Sequence, residues 1–239
     1  MTTVLITGAN RGIGLALARQ YVADGAEVIG CCREPAKADA LNKLAASSGV
    51  RVRIMQLEVA DEASIASLKR TLGDQPIDIL INNAGINGTP NAQTAEHIDA
   101  EGWMTTLRVN ALAPMLVTLA LRDNLKRGRE KKLVAISSDY GSISVNWGRD
   151  TNAHERYAYR ASKAALNMGM CALSRDWATD GVLVAILHPG FVRTDMTAAL
   201  TDASISADDS ARLLIQRIAE LTPATSGSFQ NAWGKTIPW

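Results

Sequence analysis

A chain of 239 residues, 47% of them hydrophobic, is long enough to bury a substantial core, as one large α/β domain or two small ones. With 25 Lys and Arg against 24 Asp and Glu, the net charge of +1 gives no electrostatic reason to expect nucleic acid or an anionic membrane as partner. No apolar run is long enough to span a bilayer, and the first residues lack the basic and apolar regions of a signal peptide, so a soluble, cytoplasmic protein is expected.

The first predicted strand, residues 4–7, runs into a turn containing Gly8, Asn10, Arg11, Gly12, Ile13 and Gly14 and then directly into a helix over 13–23. Glycines there let a backbone approach a pyrophosphate, and the free amides and dipole of a helix N-terminus favour its negative charge. The spacing is G-x-x-x-G-x-G, so the turn alone is weak evidence for a dinucleotide. A second strand over 27–32 ends in Cys31 and Cys32, whose side chains point to opposite faces. All three cysteines are read as reduced structural thiols. Then follow a helix over 36–47, a strand over 51–59, a helix over 62–72 and a strand over 77–82 that ends in Asn82, Asn83, Ala84 and Gly85. A long helix is predicted over 102–125, and the basic run 126–132 is read as a solvated turn. The chain continues as a strand over 132–138, a helix over 157–179, a strand over 182–188 and a helix over 207–221. The strands are continuously apolar, as expected when crossover helices cover both sheet faces. No linker, repeat or low-complexity tract divides residues 1–239, so one domain is expected. The pattern predicts a doubly wound parallel sheet of Rossmann type with helices on both faces.

Tyr159 and Lys163 lie four positions apart on the predicted helix over 157–179 and therefore share a face. An ammonium about 4 Å from a phenol contributes on the order of 4 kcal/mol at an effective dielectric of ~20, which would bring the phenol toward neutrality as a proton donor. Taken alone, the pair is better read as a surface Tyr and Lys. Four further features change that reading: the glycine turn, the segment Asn82 to Gly85, Ser138 after the fifth strand, and the segment from Pro189 to Asp195 after the sixth.

With these motifs in this order the chain resembles the short-chain dehydrogenase/reductase family from residue 1 to near its end. The resemblance implies that Ser138 hydrogen-bonds the substrate oxygen and that Tyr159 exchanges its proton. It also implies that Lys163 lowers the phenol's pKa and binds the nicotinamide ribose, and that Asn110 holds the water linking the lysine to solvent. Such a set supplies what hydride transfer to a carbonyl needs besides the hydride, which must come from a cofactor. Ser138 is preferred to Ser137 because the family places this serine three positions before a glycine, here Gly141. The interval from Ser138 to Tyr159, 21 positions, is long for the family and suggests an insertion over 146–156. In it, His154 is read as an exposed loop histidine without function, while Trp147 either lines a substrate pocket or pins its own loop.

The second strand ends in Cys32 and Arg33 where an acid would recognise the ribose 2′-hydroxyl of NAD. A guanidinium grips a 2′-phosphate in two hydrogen bonds, and Arg11 is a second cation in the glycine turn, so NADP(H) is favoured, with NAD(H) the alternative. The resemblance further implies that Glu58 and Val59 flank the adenine, that Asn83, Ala84 and Gly85 wall the pocket, and that Pro189, Gly190, Val192 and Thr194 meet the nicotinamide. Residues 195–210 are small and polar enough to form a lid over substrate. The expected activity is reversible reduction of a ketone or aldehyde, a small-molecule substrate, to an alcohol. The finer likeness is to the C-factor-like branch and the sniffer-type carbonyl reductases. It raises a rival reading, a dinucleotide-binding signalling protein in which catalysis is secondary. Ala161, Ala164, Ala165, Met168 and Ala172 form a small-residue surface on the Tyr159 helix, and family habit turns such a surface toward another subunit, as a homodimer or homotetramer.

Overall fold

The structure is a computed structural model, and it describes residues 1–148, 156–197 and 204–239. Its seven strands form one parallel sheet: β1 (Thr3–Thr7), β2 (Glu27–Cys32), β3 (Val52–Gln56), β4 (Ile79–Asn82), β5 (Lys132–Ile136), β6 (Leu183–His188) and β7 (Phe229–Asn231). The spatial order is β3-β2-β1-β4-β5-β6-β7, so the winding reverses between β1 and β4. Loops diverge beyond the carboxyl ends of those two strands, and a crevice forms there.

Alternation along the strands sends side chains into two separate cores. Leu5 and Cys31 join the core on one face, covered by α3 (Glu62–Leu72), α5 (Ala113–Ala120), α6 (Arg122–Arg127) and α8 (Tyr157–Asp176). Val4, Ile6 and Cys32 join the core on the other, under α1 (Gly12–Ala23), α2 (Asp39–Ser47) and α9 (Ala207–Ala219). The adjacent cysteines thus face opposite ways, both thiols are free, and burial pushes that of Cys31 up to about 12. Caps fix several helix starts: Asp61 accepts from the Ala63 amide at 3.0 Å to begin α3, and Ser206 accepts from the Asp209 amide at 3.0 Å to begin α9.

The predicted helix over 102–125 is broken into α4 (Ala100–Leu107), a π turn over Arg108–Leu112, α5 and α6. Pro114 accounts for the break, since it has no N–H to give the carbonyl of Asn110 four residues before it. Two further elements escaped the sequence pattern. The short helix α7 (Ile143–Trp147) follows Ser138, and β7 pairs with β6 through Ile186 and Phe229. β7 is only three residues long in a polar segment, too short for an apolar run to mark it. The chain end is held by Trp239, which stacks on Phe229 with ring centroids 5.7 Å apart. Within the stretch expected as a lid, Asp195–Thr197 forms a 3-10 turn and Ile205 bridges to Val192, while residues 198–203 lie outside the described residues.

Candidate active site

The crevice at the β1/β4 reversal is a cleft of about 1080 Å³. The carboxyl ends of β1 and β4 are laced together beneath it. Thr7 Oγ1 accepts from the amides of Asn83 and Ala84, both at 3.0 Å, and Asn83 Nδ2 donates to the carbonyls of Thr7 and Gly8 at 3.0 and 3.1 Å. Gly8 and Gly12 both hold positive φ, +67° and +54°, which a side chain would strain. Gly14 does not line the cleft; a Cβ there would collide with the Gly8 carbonyl, so this glycine lets α1 pack against the turn. No side chain caps the N-terminus of α1, and its first turn carries no acid. Its orphan amides are therefore left for an anion in the cleft.

Ser138, Tyr159 and Lys163 converge at the other end of the cleft. The Ser138 hydroxyl hydrogen-bonds Tyr159, accepts from the Tyr140 amide at 3.2 Å and reaches Asp139 Oδ1 at 3.3 Å. Ser137, its neighbour, spends its hydroxyl on Asn167 instead. The Ser-x-x-Gly spacing has a packing cause: a Cβ on Gly141 would press on the backbone of Lys163 and on Asn167 Nδ2, at 2.8 Å. Lys163 Nζ donates to the Ile136 carbonyl at 2.9 Å and lies 5.7 Å from the centre of the Tyr159 ring. Asn110 is fully buried behind the cleft and does not line it. Its side chain accepts from the Ile86 amide at 2.9 Å and donates to the Ile86 carbonyl at 2.9 Å and to Ser162 Oγ at 3.0 Å. Both of its side-chain N–H groups are thus committed to protein, and its oxygen already accepts one bond.

At the far end Arg33, Lys37 and Glu58 surround the cleft, together with Val59. Arg33 Nε lies 3.9 Å from Glu58 Oε2, and Lys37 pairs with Glu34 at 3.1 Å. Arg11 reaches across from the glycine turn to Asp195 at 2.9 Å. Asn10, Ile13, Ala84, Gly85, Pro189, Gly190, Val192 and Thr194 also line the cleft. A Cβ on Gly85 would meet Asn110 Oδ1 at 3.2 Å and Lys163 Nζ at 3.8 Å, so that glycine keeps the wall thin beside the lysine. The glycine turn, the uncapped helix and the cations at the far end fit a phosphorylated dinucleotide.

The family model for short chain dehydrogenases matches residues 2–204. The chain belongs to that family. It is an NAD(P)-dependent oxidoreductase of the short-chain type. The C-signal of Myxococcus xanthus is 39% identical over 164 residues, which cover 69% of this chain and 93% of that protein. The NADPH-bound carbonyl reductase from chicken fatty liver is 33% identical, with a TM-score of 0.90 over 100% of this chain and 99% of that one. The carbonyl reductase Sniffer of D. melanogaster is 27% identical, with a TM-score of 0.87 over the whole of both chains.

In this short-chain dehydrogenase burial pushes the Tyr159 phenol up to about 12, against smaller lowering effects from the Ser138 hydrogen bond and the charge of Arg156. Burial also drives the Lys163 ammonium down to about 8. Several cleft residues were missed from the sequence. His188, which accepts from the Asp139 amide at 3.2 Å, immediately precedes Pro189 and ends a strand, which was a usable signal. Arg156 had none, since it lies in the segment read as an insertion, and Asp139 was passed over beside Ser138. Trp147 does not line the cleft and is 91% exposed at the end of α7, while the loop it was expected to pin and His154 lie outside the described residues.

Proposed function

We propose that this short-chain dehydrogenase interconverts a ketone or aldehyde and an alcohol, with NADP(H) as cofactor. The observation that carries the reading is the convergence of the Ser138 hydroxyl, the Tyr159 phenol and the Lys163 ammonium at one end of a cleft whose other end presents Arg33 and Lys37. NADPH, when bound, supplies the hydride. Arg11 and Arg33 would hold its 2′-phosphate, the amides of α1 its pyrophosphate, and Lys163 its ribose. The chicken carbonyl reductase, alike over the whole chain, carries NADPH, which supports this choice over NAD(H).

Ser138 orients the substrate carbonyl. Its long bond to Asp139, 3.3 Å, is readily exchanged for the substrate oxygen, while the Tyr140 amide keeps the hydroxyl in place. Tyr159 then donates its proton to the oxygen as negative charge develops there. A phenol pushed up to about 12 stays protonated at neutral pH, which suits the reductive direction. Lys163 returns a proton toward the phenol. Pro114 has no N–H to give the Asn110 carbonyl, and that carbonyl would hold the water behind Lys163. α4, α5 and α8 leave apolar side chains exposed, and a homodimer or homotetramer would cover them.

A second reading, a signalling role in which turnover is secondary, is favoured by the identity to C-signal. The test of the first is a screen of aldehydes, ketones and quinones with NADPH and with NADH, followed at the nicotinamide absorbance, on the protein and on Tyr159→Phe. Reduction with NADPH preferred and lost in the variant is expected. Preference for NADH would sink the cofactor assignment, and full activity in Tyr159→Phe would sink the mechanism.

A further inference from the structure

Among the described residues five cationic side chains line the cleft: Arg11, Arg33, Lys37, Arg156 and Lys163. Four of them are matched within the protein. Arg11 faces Asp195 at 2.9 Å, Arg33 faces Glu58 at 3.9 Å, Lys37 faces Glu34 at 3.1 Å, and Lys163 donates to the Ile136 carbonyl at 2.9 Å. Arg156 has no carboxylate partner among the described residues; its guanidinium stands 6.0 Å from the centre of the Tyr140 ring. The next cation on the same helix, Arg160, is committed to Asn146 Oδ1 at 2.8 Å and to the other approach to Tyr140 at 4.8 Å.

The placement of Arg156 is costly and points to the reacting end. Its backbone lies in the left-handed region, at φ 68° and ψ 30°, which costs a non-glycine residue on the order of 1 kcal/mol. It is the N-cap of α8, three residues before Tyr159, and its guanidinium lines the cleft close enough for its charge to lower the Tyr159 phenol. Asp139 is the opposing charge to weigh, since its carboxylate also lines the cleft. That carboxylate accepts from Ser138 at 3.3 Å and lies 3.8 Å from His188 Nδ1, so its field is partly spent on its neighbours. Apolar side chains from Ile86, Phe191 and Met196 complete this end of the cleft.

We propose that Arg156 binds a carboxylate on the carbonyl substrate, so that the preferred substrates are oxo acids whose carboxylate and carbonyl are separated by a short apolar body. A planar guanidinium suits a carboxylate in two parallel hydrogen bonds and is too strongly charged to favour a neutral ester there. The inference rests on the reductase reading for its turnover arm only.

The test compares 4-carboxybenzaldehyde with its methyl ester, by kcat/KM with NADPH, in the wild type, Arg156→Gln and Arg156→Lys. A second arm measures by calorimetry the binding of the two alcohol products, 4-(hydroxymethyl)benzoate and its methyl ester, to the protein carrying NADP+. The acid-to-ester ratio is expected to fall tenfold or more in Arg156→Gln, to recover in part in Arg156→Lys, and to fall likewise in the binding arm. A change in ratio below tenfold overturns the proposal, including the case in which acid and ester decline together with a shifted pH profile, since Arg156 would then serve Tyr159 alone. If the wild type reduces neither aldehyde, the reductase reading falls. The binding arm then decides for the carboxylate site if the ratio drops tenfold and against it if the ratio does not.

Discussion

The ammonium of Lys163, on α8, donates to the carbonyl oxygen of Ile136, the last residue of β5, at 2.9 Å. One bond does not replace the water lost on burial, and the ammonium is driven down to about 8. A lysine whose folded value lies below its unfolded value, near ~10.4, binds fewer protons in the folded state between those values. Its contribution to stability therefore rises with pH over that window, by roughly 1.5 kcal/mol between pH 8 and 9.5. Cys31, raised to about 12, acts in the opposite sense from about pH 9 upward, because the folded thiol keeps a proton that the unfolded one loses. The measurement is thus a difference: urea unfolding of the cofactor-free wild type and of Lys163→Met at several values from pH 7.5 to 9.5. Equal pH slopes in the two proteins would contradict the assignment.

Gly141 sets the seat of Ser138. Adding a Cβ would push on the backbone of Lys163 and on Asn167 Nδ2, so Gly141→Ala forces the Ser138 turn away from α8. Overpacking of this kind costs about 1–3 kcal/mol. The expected kinetic result is a fall in kcat of tenfold or more, with the NADPH dissociation constant changed less than threefold. A variant that lost cofactor binding and turnover in parallel would show that the turn acts on the whole cleft and not on the serine.

Asn110 shows a different dependence. Its amide satisfies both backbone groups of Ile86 and also donates to Ser162, whose hydroxyl in turn donates to the Tyr159 carbonyl at 2.7 Å. Asn110→Leu would leave the amide and carbonyl of Ile86 without these partners, at about 1–3 kcal/mol for each buried group. Loss of 2 kcal/mol or more in urea unfolding is expected, together with lower kcat. An unchanged midpoint would mean that water replaces the side chain.

What the sequence made legible was local. The glycine turn, the alternating segments and the i, i+4 spacing of Tyr159 and Lys163 are written in adjacent residues, and the structure brings Gly8, Gly12, Tyr159 and Lys163 to one cleft while Gly14 packs beneath it. Relations that depend on a third element were not visible. The Tyr159 phenol, raised by burial, meets the Tyr140 ring edge-on at 6.2 Å, a neighbour from another element. The π turn at Asn110 had Pro114 as its signal, but the apolar pattern over 102–125 continues through it and reads as one helix. β7 is a strand because β6 offers it an edge, and nothing in Phe229–Asn231 itself demands one. Nothing in the residues around Arg156 marks it as a cleft residue, yet its guanidinium lines the cleft.

Arg33 governs cofactor choice if the far end of the cleft holds a 2′-phosphate. Its partner Glu58 is 3.9 Å away, Arg33 is largely and Glu58 partly exposed, so the pair is weak and a phosphate would displace it. A charged hydrogen bond is worth about 1.5–3 kcal/mol, which corresponds to roughly 10–100-fold. Arg33→Ala should therefore lower kcat/KM with NADPH by that factor and leave NADH within threefold. Equal losses with both cofactors would indicate that the residue positions the adenosine and does not read the phosphate.

α4, α5 and α8 pack side by side and leave Met104, Leu112, Leu119 and Met168 exposed, the last at 72%. Met168 belongs to the small-residue surface of α8, where Ala165 and Ala172 are also exposed and allow another helix to approach closely. Methionine and leucine side chains beside alanines bury well against a copy of the same surface and poorly against water. The wild type is expected at two or four times the chain mass of 25.5 kDa by light scattering. Met168→Glu would place like charges against each other across a two-fold contact, so it should shift the protein to a smaller species without changing its far-ultraviolet dichroism. A wild type already at the single-chain mass would remove the interface, and an unaltered mass in the variant would place it on another face.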